Sequence, residues 1–350
     1  MEHENEKTKV IGYQTKISNS FIKNNNILIL QIVNLFLIVF LISLYLFNQG
    51  KDSFGSVKER AFNLIDNNDD KINTFSNSIK LLKMLTNNDE KEYKGIEICL
   101  LNEPDKKNCI YHLISPKQVF GKKRILIGEK RDGGYVLLDD FKNIKIAYSF
   151  GIEKNVIFDK ALADKGIDIY MYDHTIKFLP YKNPKFHWKK IGLCGKNNNN
   201  PNMKTLEELI ADNGHINEKD MILKIDIEHW EWESIIDLKE ETLNKFKYIA
   251  IEYHFKDEKV YSNTNIYYKV LKKISKTHQS FYARCNGNKS KKVNFGNNRI
   301  CHILEVSYII KKDNIFIKDE SVYPIYEFDY SKPYTGKSET NLNILTLFSK

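Results

Sequence analysis

The sequence has few of the residues that mark several common protein classes. Arginine is scarce among the 54 basic residues, and the lysines are scattered among acidic residues and asparagines. The net charge of +9 therefore indicates a solvated basic surface, because nucleic-acid interfaces normally gather their basic residues on one face. The GxGxxG fingerprint is also absent, which argues against a nicotinamide-dependent oxidoreductase.

Cysteine is infrequent as well, and its pattern excludes the usual zinc sites. The five cysteines are odd in number and widely spaced, with no CxxC or Cys/His motif. Cys99 and Cys109 are close enough in the chain to form a short disulfide in an oxidising compartment. The sequence alone leaves that pairing open.

One long apolar run stands out near the amino terminus. Residues 27–47 read ILILQIVNLFLIVFLISLYLF and contain no charge, which matches the ~20 residues that a helix needs to cross a bilayer. Polar residues precede the run and no small-residue cleavage pattern follows it. We therefore expect an uncleaved, single-pass anchor in the lipid bilayer rather than a signal peptide. Basic residues flank it almost equally, so its orientation stays open.

This anchor divides the chain into regions of different composition. We expect a disordered polar tail over 1–26, a helical stalk over 48–95, a folded domain over 96–320 and a C-terminal tail over 321–350. The stalk is indicated by two stretches with apolar residues at helical spacing, each followed by a polar, Asn/Asp-rich break.

Strand and helix signals alternate within the folded domain. Apolar strand-like segments lie at 144–152, 167–173, 222–227 and 248–254, and helical patterns separate them. Strands that alternate with helices predict an α/β fold with a doubly wound, mostly parallel sheet. Near its end, QSFYARC and CHILEVSYII predict an antiparallel pair, and DGG between two apolar runs predicts a hairpin.

Two of the predicted strands end on residues suited to a nucleotide-like ligand. Open parallel sheets bind ligands outside the carboxyl ends of their strands. Gly151, in YSFGI, allows a close backbone approach at the first of these ends. Asp173 ends the next strand about 20 residues later, the spacing of nucleotide-binding βαβ units. We expect its carboxylate to accept hydrogen bonds from both hydroxyls of a ribose.

Acidic residues mark the ends of the next two strands. In LKIDIEHWEW, period-two alternation predicts that Lys224, Asp226 and Glu228 share one face, with both acids emerging in the cleft. The acids later in this stretch are expected at the amino terminus of the following helix, where the helix dipole stabilises negative charge. Glu252 and His254 repeat the pattern on the next strand, and an imidazole that titrates near neutral pH is suited to general-base catalysis.

Several of these motifs together resemble one family. YSFGIEKNVIFDKALADKGIDIYMYD, FHWKKIGL, MKTLEEL, LKIDIEHWEW and AIEYHF, in collinear order over about 120–310, resemble FkbM-like methyltransferases. The resemblance is strongest to the branch that includes methyltransferase-like protein 24, and DGGY at 132–135 resembles an element of that branch. His229 is a departure, because the family usually carries a small residue there, often glycine.

The resemblance implies a Rossmann-like, class I methyltransferase fold with S-adenosyl-L-methionine as cofactor. The implied cofactor-binding residues are Ser149, Gly151, Asp173 and Asp226. The implied reaction is methylation of a hydroxyl on a sugar or another small metabolite, for which the protein mainly aligns the acceptor with the methyl carbon.

The acceptor hydroxyl needs a base, and His254, Glu228 and Asp226 are the candidate catalytic residues. We expect no metal, although Asp226, Glu228 and Glu252 offer an alternative in which a divalent ion acidifies the hydroxyl. Two other interpretations stay open. One is a membrane-anchored glycosyltransferase that uses Asp226-Ile227-Glu228 as its metal and nucleotide-sugar site. The other is a non-catalytic binding domain with the same fold.

Overall fold

The structure, a computed structural model, describes Cys99, 105–130, 133–256, 263–286, 292–295, 298–319, 321, 325 and 327–329. All of them belong to the second of two compact units, Asp89–Lys350. The expected tail over 1–26, the anchor and the stalk over 48–95 lie outside the described residues. Within the described part of the chain, no helix has the length and apolar character to cross a membrane.

The described residues form fifteen strands and six helices. The strands are β1 (Lys117–Val119), β2 (Arg124–Ile127), β3 (Tyr135–Leu138), β4 (Ile146–Phe150), β5 (Asp168–Tyr172), β6 (Phe186–Lys189), β7 (Gly192–Leu193), β8 (Met203–Lys204), β9 (Met221–Ile225), β10 (Phe246–His254), β11 (His278–Cys285), β12 (Lys292–Phe295), β13 (Asn298–Cys301), β14 (Ile303–Ile310) and β15 (Phe316–Lys318). The helices are α1 (Lys106–Ile114), α2 (Ile157–Ala163), α3 (Leu206–Asp212), α4 (Glu231–Ile236), α5 (Glu240–Leu243) and α6 (Thr264–Thr277).

Seven of these strands form one mostly parallel sheet, in the order β11-β14-β10-β9-β4-β5-β6. The pairs from β10 to β6 are parallel, whereas β14 runs antiparallel to both of its neighbours. Numbered by their order along the chain and read from the β6 edge, the sheet strands lie 3-2-1-4-5-7-6. The predicted α/β fold with a mostly parallel sheet and a late antiparallel pair is therefore confirmed.

The core lies along the centre of this sheet. Every residue of β9 is buried, and so are eight of the nine residues of β10, the pattern of strands covered on both faces. The aromatic rings of Tyr148, Phe150 and Tyr172 stack across β4 and β5 with centroids 5.1–6.5 Å apart. This packing fixes the strand ends at which the site residues lie.

Local signals explain where two helices differ from the pattern in the sequence. The stretch MKTLEELIADNG at 203–214 has apolar residues at helical spacing, but its helix begins at Leu206, because Thr205 and Glu208 form a reciprocal capping box at its start. The stretch EWESIIDLKEETL, which reads as one helix, forms the two short helices α4 and α5. The DGG hairpin is present as the antiparallel pair β2–β3.

The folded domain extends beyond the predicted boundary at residue 320. Phe328 and Asp329 are buried, and the hydroxyl of Tyr282 donates to Asp329 Oδ1. Arg284, which is 1 % exposed on β11, donates to Glu305, to the carbonyl of Phe328 and to that of Gly134. A buried guanidinium needs such partners, so residues 327–329 are part of the fold and not of a tail.

Four of the five cysteines form disulfides. Cys99 pairs with Cys109 at a Cα–Cα distance of 5.4 Å, and Cys285 pairs with Cys301 at 5.7 Å. Both distances lie in the usual range for a bridge. Cys194 is free and buried. The pairing that the sequence left open is thus present, together with a second one near the end of β11.

Candidate functional site

The turn after β4 brings two strand ends together. Gly151 has a φ of +77°, and a Cβ on it would lie 1.5 Å from the carbonyl oxygen of Asp226. The N–H of Asp226 in turn donates to the carbonyl of Phe150 at 3.2 Å. Glycine is required here because the backbones following β4 and β9 touch. The close approach predicted at Gly151 is real, and its partner is the chain itself.

Asp173 closes the same turn from the end of β5. Its Oδ2 accepts from the N–H groups of Ile152 and Glu153, and its Oδ1 accepts from the N–H and hydroxyl of Thr175, all at 2.6–2.9 Å. Burial alone would raise the pKa of Asp173, but these hydrogen bonds outweigh it and hold the pKa below its usual value.

These four donors match the roughly four acceptor positions of a carboxylate. Asp173 therefore has a structural task that the sequence did not reveal, in addition to the predicted contact with a ribose. The Thr175 hydroxyl is the one donor of the four that can rotate away, so a ligand contact at Asp173 would replace that bond.

Lys224 lies inside the site rather than on a polar face of β9. It is 6 % exposed, its Nζ donates to the carbonyls of Phe150 and Gly151, and it lies 3.5 Å from Asp226 Oδ2. A buried ammonium is tolerated because these oxygens replace its water. Sequence reasoning placed Lys224 beside Asp226 but gave it no role in holding the glycine turn.

The predicted pairing of Asp226 and Glu228 on one strand face is wrong. β9 ends at Ile225, and Glu228 and His229 both have left-handed backbone, with φ of +53° and +82°. Alternation stops where the strand stops, so Asp226 is partly buried while the Glu228 side chain is 82 % exposed. The left-handed φ at His229 also explains a preference for glycine at this position, because every other residue is strained at such a φ.

His254 lies at the centre of an acidic cluster. Its side chain is 2 % exposed, and Nε2 lies 3.1 Å from Glu252 Oε1 and 3.3 Å from Glu228 Oε2. On the other side of the ring, Nδ1 lies 3.3 Å from Glu231 Oε1, which also accepts from the backbone N–H of His254 at 2.7 Å. Glu231 is fully buried, whereas the sequence predicted only that it lies at the start of the following helix.

The charge of His254 argues against its predicted role as general base. Burial lowers its pKa, but the neighbouring carboxylates of Glu231 and Glu252 outweigh burial and raise the pKa to about 10. Burial also raises the pKa of Glu252, to about 6. At neutral pH the imidazole in this structure is therefore already protonated and cannot accept a proton. Of the three predicted catalytic residues, Asp226 and Glu228 remain available as bases.

Ser149, predicted to bind the cofactor, lies beneath the cleft. It precedes the last residue of β4 and is 1 % exposed, near the buried carboxyl of Asp159. Burial raises the pKa of Asp159. A ligand outside the strand ends would not reach the Ser149 side chain, so a direct cofactor contact is not supported.

Two carboxylates and one imidazole converge at this edge of the sheet. Asp226, Glu252 and His254 each offer one ligand atom, and these atoms lie within 4.8 Å of one another. The metal-binding alternative in the sequence had Glu228 in place of His254. Alternation correctly placed Glu252 and His254 together on β10, but it could not show that the histidine side chain points toward Asp226.

A small cavity begins beside this cluster. Its volume is about 260 Å³, and its lining includes His229, Glu233, Lys256 and Asn265. The ring of His229 lies 5.2 Å from that of His254, and its Nδ1 is 3.1 Å from the His254 carbonyl oxygen. The polar lining suits a small hydroxylated molecule better than an apolar one.

Comparisons with known proteins give no further assignment. No family model, no curated protein and no solved structure matches the chain. The resemblance to FkbM-like methyltransferases therefore stays a prediction, supported by the motifs quoted above.

Proposed function

We propose that the chain is a membrane-anchored, S-adenosyl-L-methionine-dependent O-methyltransferase acting on a hydroxyl of a sugar or another small metabolite. The observation that carries the proposal is the strand order 3-2-1-4-5-7-6 with an antiparallel seventh strand. This order fits the class I methyltransferase fold that the resemblance implies. A dinucleotide-binding Rossmann sheet has the order 3-2-1-4-5-6 instead.

The cofactor position follows from the sheet. Ligands bind where the strand order reverses, which here lies between β4 and β9. Gly151 and Asp226 meet at that point, and the partly exposed Asp226 carboxylate suits an ammonium group such as that of a bound amino acid. Asp173 would contact the ribose in exchange for the Thr175 hydroxyl.

The bound cofactor would supply an electrophilic methyl group. The chain's own residues would orient the acceptor hydroxyl and take its proton, and the cavity beside His229 would hold the rest of the acceptor. Glu228 is the preferred base, because its carboxylate is exposed beyond the end of β9, whereas Asp226 is assigned to the ammonium group.

The two disulfides favour an oxidising compartment for the domain, with residues 27–47 as the anchor. The cofactor is made in the cytosol, so a lumenal methyltransferase would need it transported. The same disulfides favour the second candidate, a lumenal glycosyltransferase with a metal and nucleotide-sugar site at the acidic cluster. The sequon Asn288-Lys289-Ser290 allows a direct check, since glycosylation there requires lumenal exposure.

Calorimetric titration of the full chain in detergent micelles separates the candidates. We expect S-adenosylhomocysteine to bind, with Asp226→Asn weakening binding at least about tenfold, a loss of about 1.4 kcal/mol. Glu241→Gln, an exposed acid on α5, serves as the control and should bind normally.

Uridine diphosphate with Mn²⁺ is titrated in parallel. Binding of this ligand without S-adenosylhomocysteine binding would support the glycosyltransferase and reject our proposal. Binding of neither ligand would favour a non-catalytic domain with the same fold.

A further inference from the structure

We propose that Asp226, Glu252 and His254 bind one divalent transition-metal ion, with Mn²⁺ as its representative. The proposal rests on the proposed function only for the role of the ion beside the acceptor, because binding itself needs no methyl transfer. The three ligand atoms lie within 4.8 Å of one another. Ligands at about 2.0–2.2 Å from one ion are at most about 4.4 Å apart, so side-chain shifts of a few tenths of an ångström would close the site.

The imidazole supplies a ligand atom that the protein leaves without a hydrogen bond. His254 Nε2 is buried and makes no hydrogen bond, although Glu252 and Glu228 lie at 3.1 and 3.3 Å. The side chain is 2 % exposed, and this nitrogen is the ring atom that faces the two carboxylate ligands. The ion would take the place of the proton that Nε2 carries in the metal-free protein, and that proton would be released to solvent. Buried polar atoms without a partner are rare and often mark the place of a bound ion or water.

Each ligand is oriented by a second residue, as in known metal sites. Glu231 Oε1 lies at 3.3 Å from His254 Nδ1, which directs Nε2 toward the other ligands. Asn286 Nδ2 donates to Glu252 Oε2 at 2.5 Å. Oε1, the other oxygen, is the one that faces His254.

Asp226 has the same kind of support. Tyr135 donates its hydroxyl to Asp226 Oδ2 at 3.4 Å, and Lys224 lies 3.5 Å from that oxygen. Both contacts are to Oδ2, and neither involves Oδ1.

The charges at this edge also favour a cation. Three carboxylates, those of Glu228, Glu231 and Glu252, lie within 3.3 Å of one imidazole, and Asp226 adds a fourth. Lys224 is the cation next to Asp226, and it is shared with two backbone carbonyls. Buried like charges are costly unless they are paired or bound to a metal, so a divalent ion would offset the excess.

The ligand types point to the kind of ion. One imidazole nitrogen with two carboxylate oxygens suits Mn²⁺, Fe²⁺ or Zn²⁺, whereas Mg²⁺ and Ca²⁺ prefer oxygen ligands alone. Mn²⁺ is therefore the probe, since its electron paramagnetic resonance spectrum reports both the amount bound and a coordinated ¹⁴N nucleus.

The experiment titrates MnCl₂ into the full chain in detergent micelles and follows free and bound Mn²⁺ by electron paramagnetic resonance. We expect one ion per chain and a ¹⁴N coupling from His254. Asp226→Asn and Glu252→Gln should each weaken binding at least about tenfold, and Glu231→Gln about 10–100-fold with a changed ¹⁴N coupling. Glu241→Gln, an exposed acid on α5 and outside the cavity lining, is the control and should bind normally.

Three results would overturn the proposal: no stoichiometric Mn²⁺, bound Mn²⁺ without a ¹⁴N coupling, or equal binding by the wild type, Asp226→Asn and Glu252→Gln. Circular dichroism of each variant verifies the fold, and the partly exposed Asp226 provides a substitution that leaves the core intact. If S-adenosylhomocysteine binds and Mn²⁺ does not, the metal site is rejected and the methyltransferase proposal is kept. If Mn²⁺ binds and S-adenosylhomocysteine does not, the metal site is kept and the methyltransferase proposal is rejected.

Discussion

Asp173 and His254 lie at carboxyl ends of strands in the same sheet, yet their surroundings are opposite. The carboxylate of Asp173 accepts four hydrogen bonds, three of them from backbone N–H groups. The imidazole of His254 faces three carboxylates. Two buried atoms, His254 Nε2 and Glu231 Oε2, each have no hydrogen-bond partner. The glycine-turn side thus satisfies its charge by itself, whereas the histidine side has negative charge in excess.

This difference separates two kinds of work. A region that satisfies its own polar groups is stable alone and serves as a rigid support for a ligand. A region that leaves buried polar atoms without partners gains stability only when something binds. We therefore expect substitutions on the first side to affect folding, and those on the second side to affect binding.

The largest effect should come from Gly151→Ala. Its Cβ would overlap the Asp226 carbonyl oxygen at 1.5 Å, so one of the two backbone segments would have to shift. We expect a loss of more than about 4 kcal/mol in the free energy of unfolding, measured by urea denaturation. Gly166→Ala is the matched control, since Gly166 has a similar φ of +88° with nothing within 4 Å of its Cβ. It should cost only about 1 kcal/mol, and equal losses would show that the contact is unimportant.

The second prediction concerns His278, a buried histidine with neutral partners. Its Nε2–H donates to the Phe246 carbonyl and its Nδ1 accepts from the Thr277 hydroxyl, and burial lowers its pKa to about 4. In the unfolded chain the imidazole binds a proton below about pH 6.5, whereas in the folded protein it does so only below about pH 4. The contribution of His278 to the free energy of unfolding is therefore complete above pH 6.5 and falls by roughly 3 kcal/mol toward pH 4.

Urea midpoints at several pH values between 4 and 7 measure this dependence. His278→Gln should be less stable at pH 7 but flatter with pH, because the titrating group is gone. Equal slopes in both proteins would mean that His278 titrates normally. Confirmation would show that the opposite shift at His254 comes from its carboxylate neighbours and not from burial.

A third prediction tests whether Asp173 supports the turn. In Asp173→Asn an amide NH₂ would face backbone donors, and charge-assisted hydrogen bonds would be lost, so we expect destabilisation of about 2 kcal/mol. Thr175→Val removes one of the four donors and should cost about 1 kcal/mol. Thermal unfolding of both variants gives the comparison, and a stable Asp173→Asn would contradict the structural role.

The smallest effect should appear at His229. Its φ of +82° strains any side chain, so His229→Gly should be more stable than His229→Ala by about 1 kcal/mol in urea denaturation. At Glu233, in the regular helix α4, alanine should instead be more stable than glycine by about that amount. The same order at both positions would show that His229 is not strained.

Sequence patterns predicted the sheet well, because β-branched and aromatic runs separated by helical periodicity determine α/β alternation. They also placed Gly151, Asp173 and the Glu252–His254 pair at strand ends. They failed where a strand stopped: alternation carried Glu228 past Ile225 although the chain turns there. The network around His254 was missed because Glu231 and Asn286 reach it from other elements, and no spacing rule links them.

The position of β14 between β10 and β11 has a consequence for how the chain is made. On a ribosome β11 emerges before β14, yet in the sheet β14 lies between β11 and β10. β11 therefore cannot join the sheet until β14 is available. Arg284 likewise waits for Glu305 and for the carbonyl of Phe328. The sheet can therefore close only after residue 328 has left the exit tunnel, which places the completion of the sheet late in folding. A nascent chain stalled before that point would display an apolar strand edge, which is the kind of surface that chaperones bind.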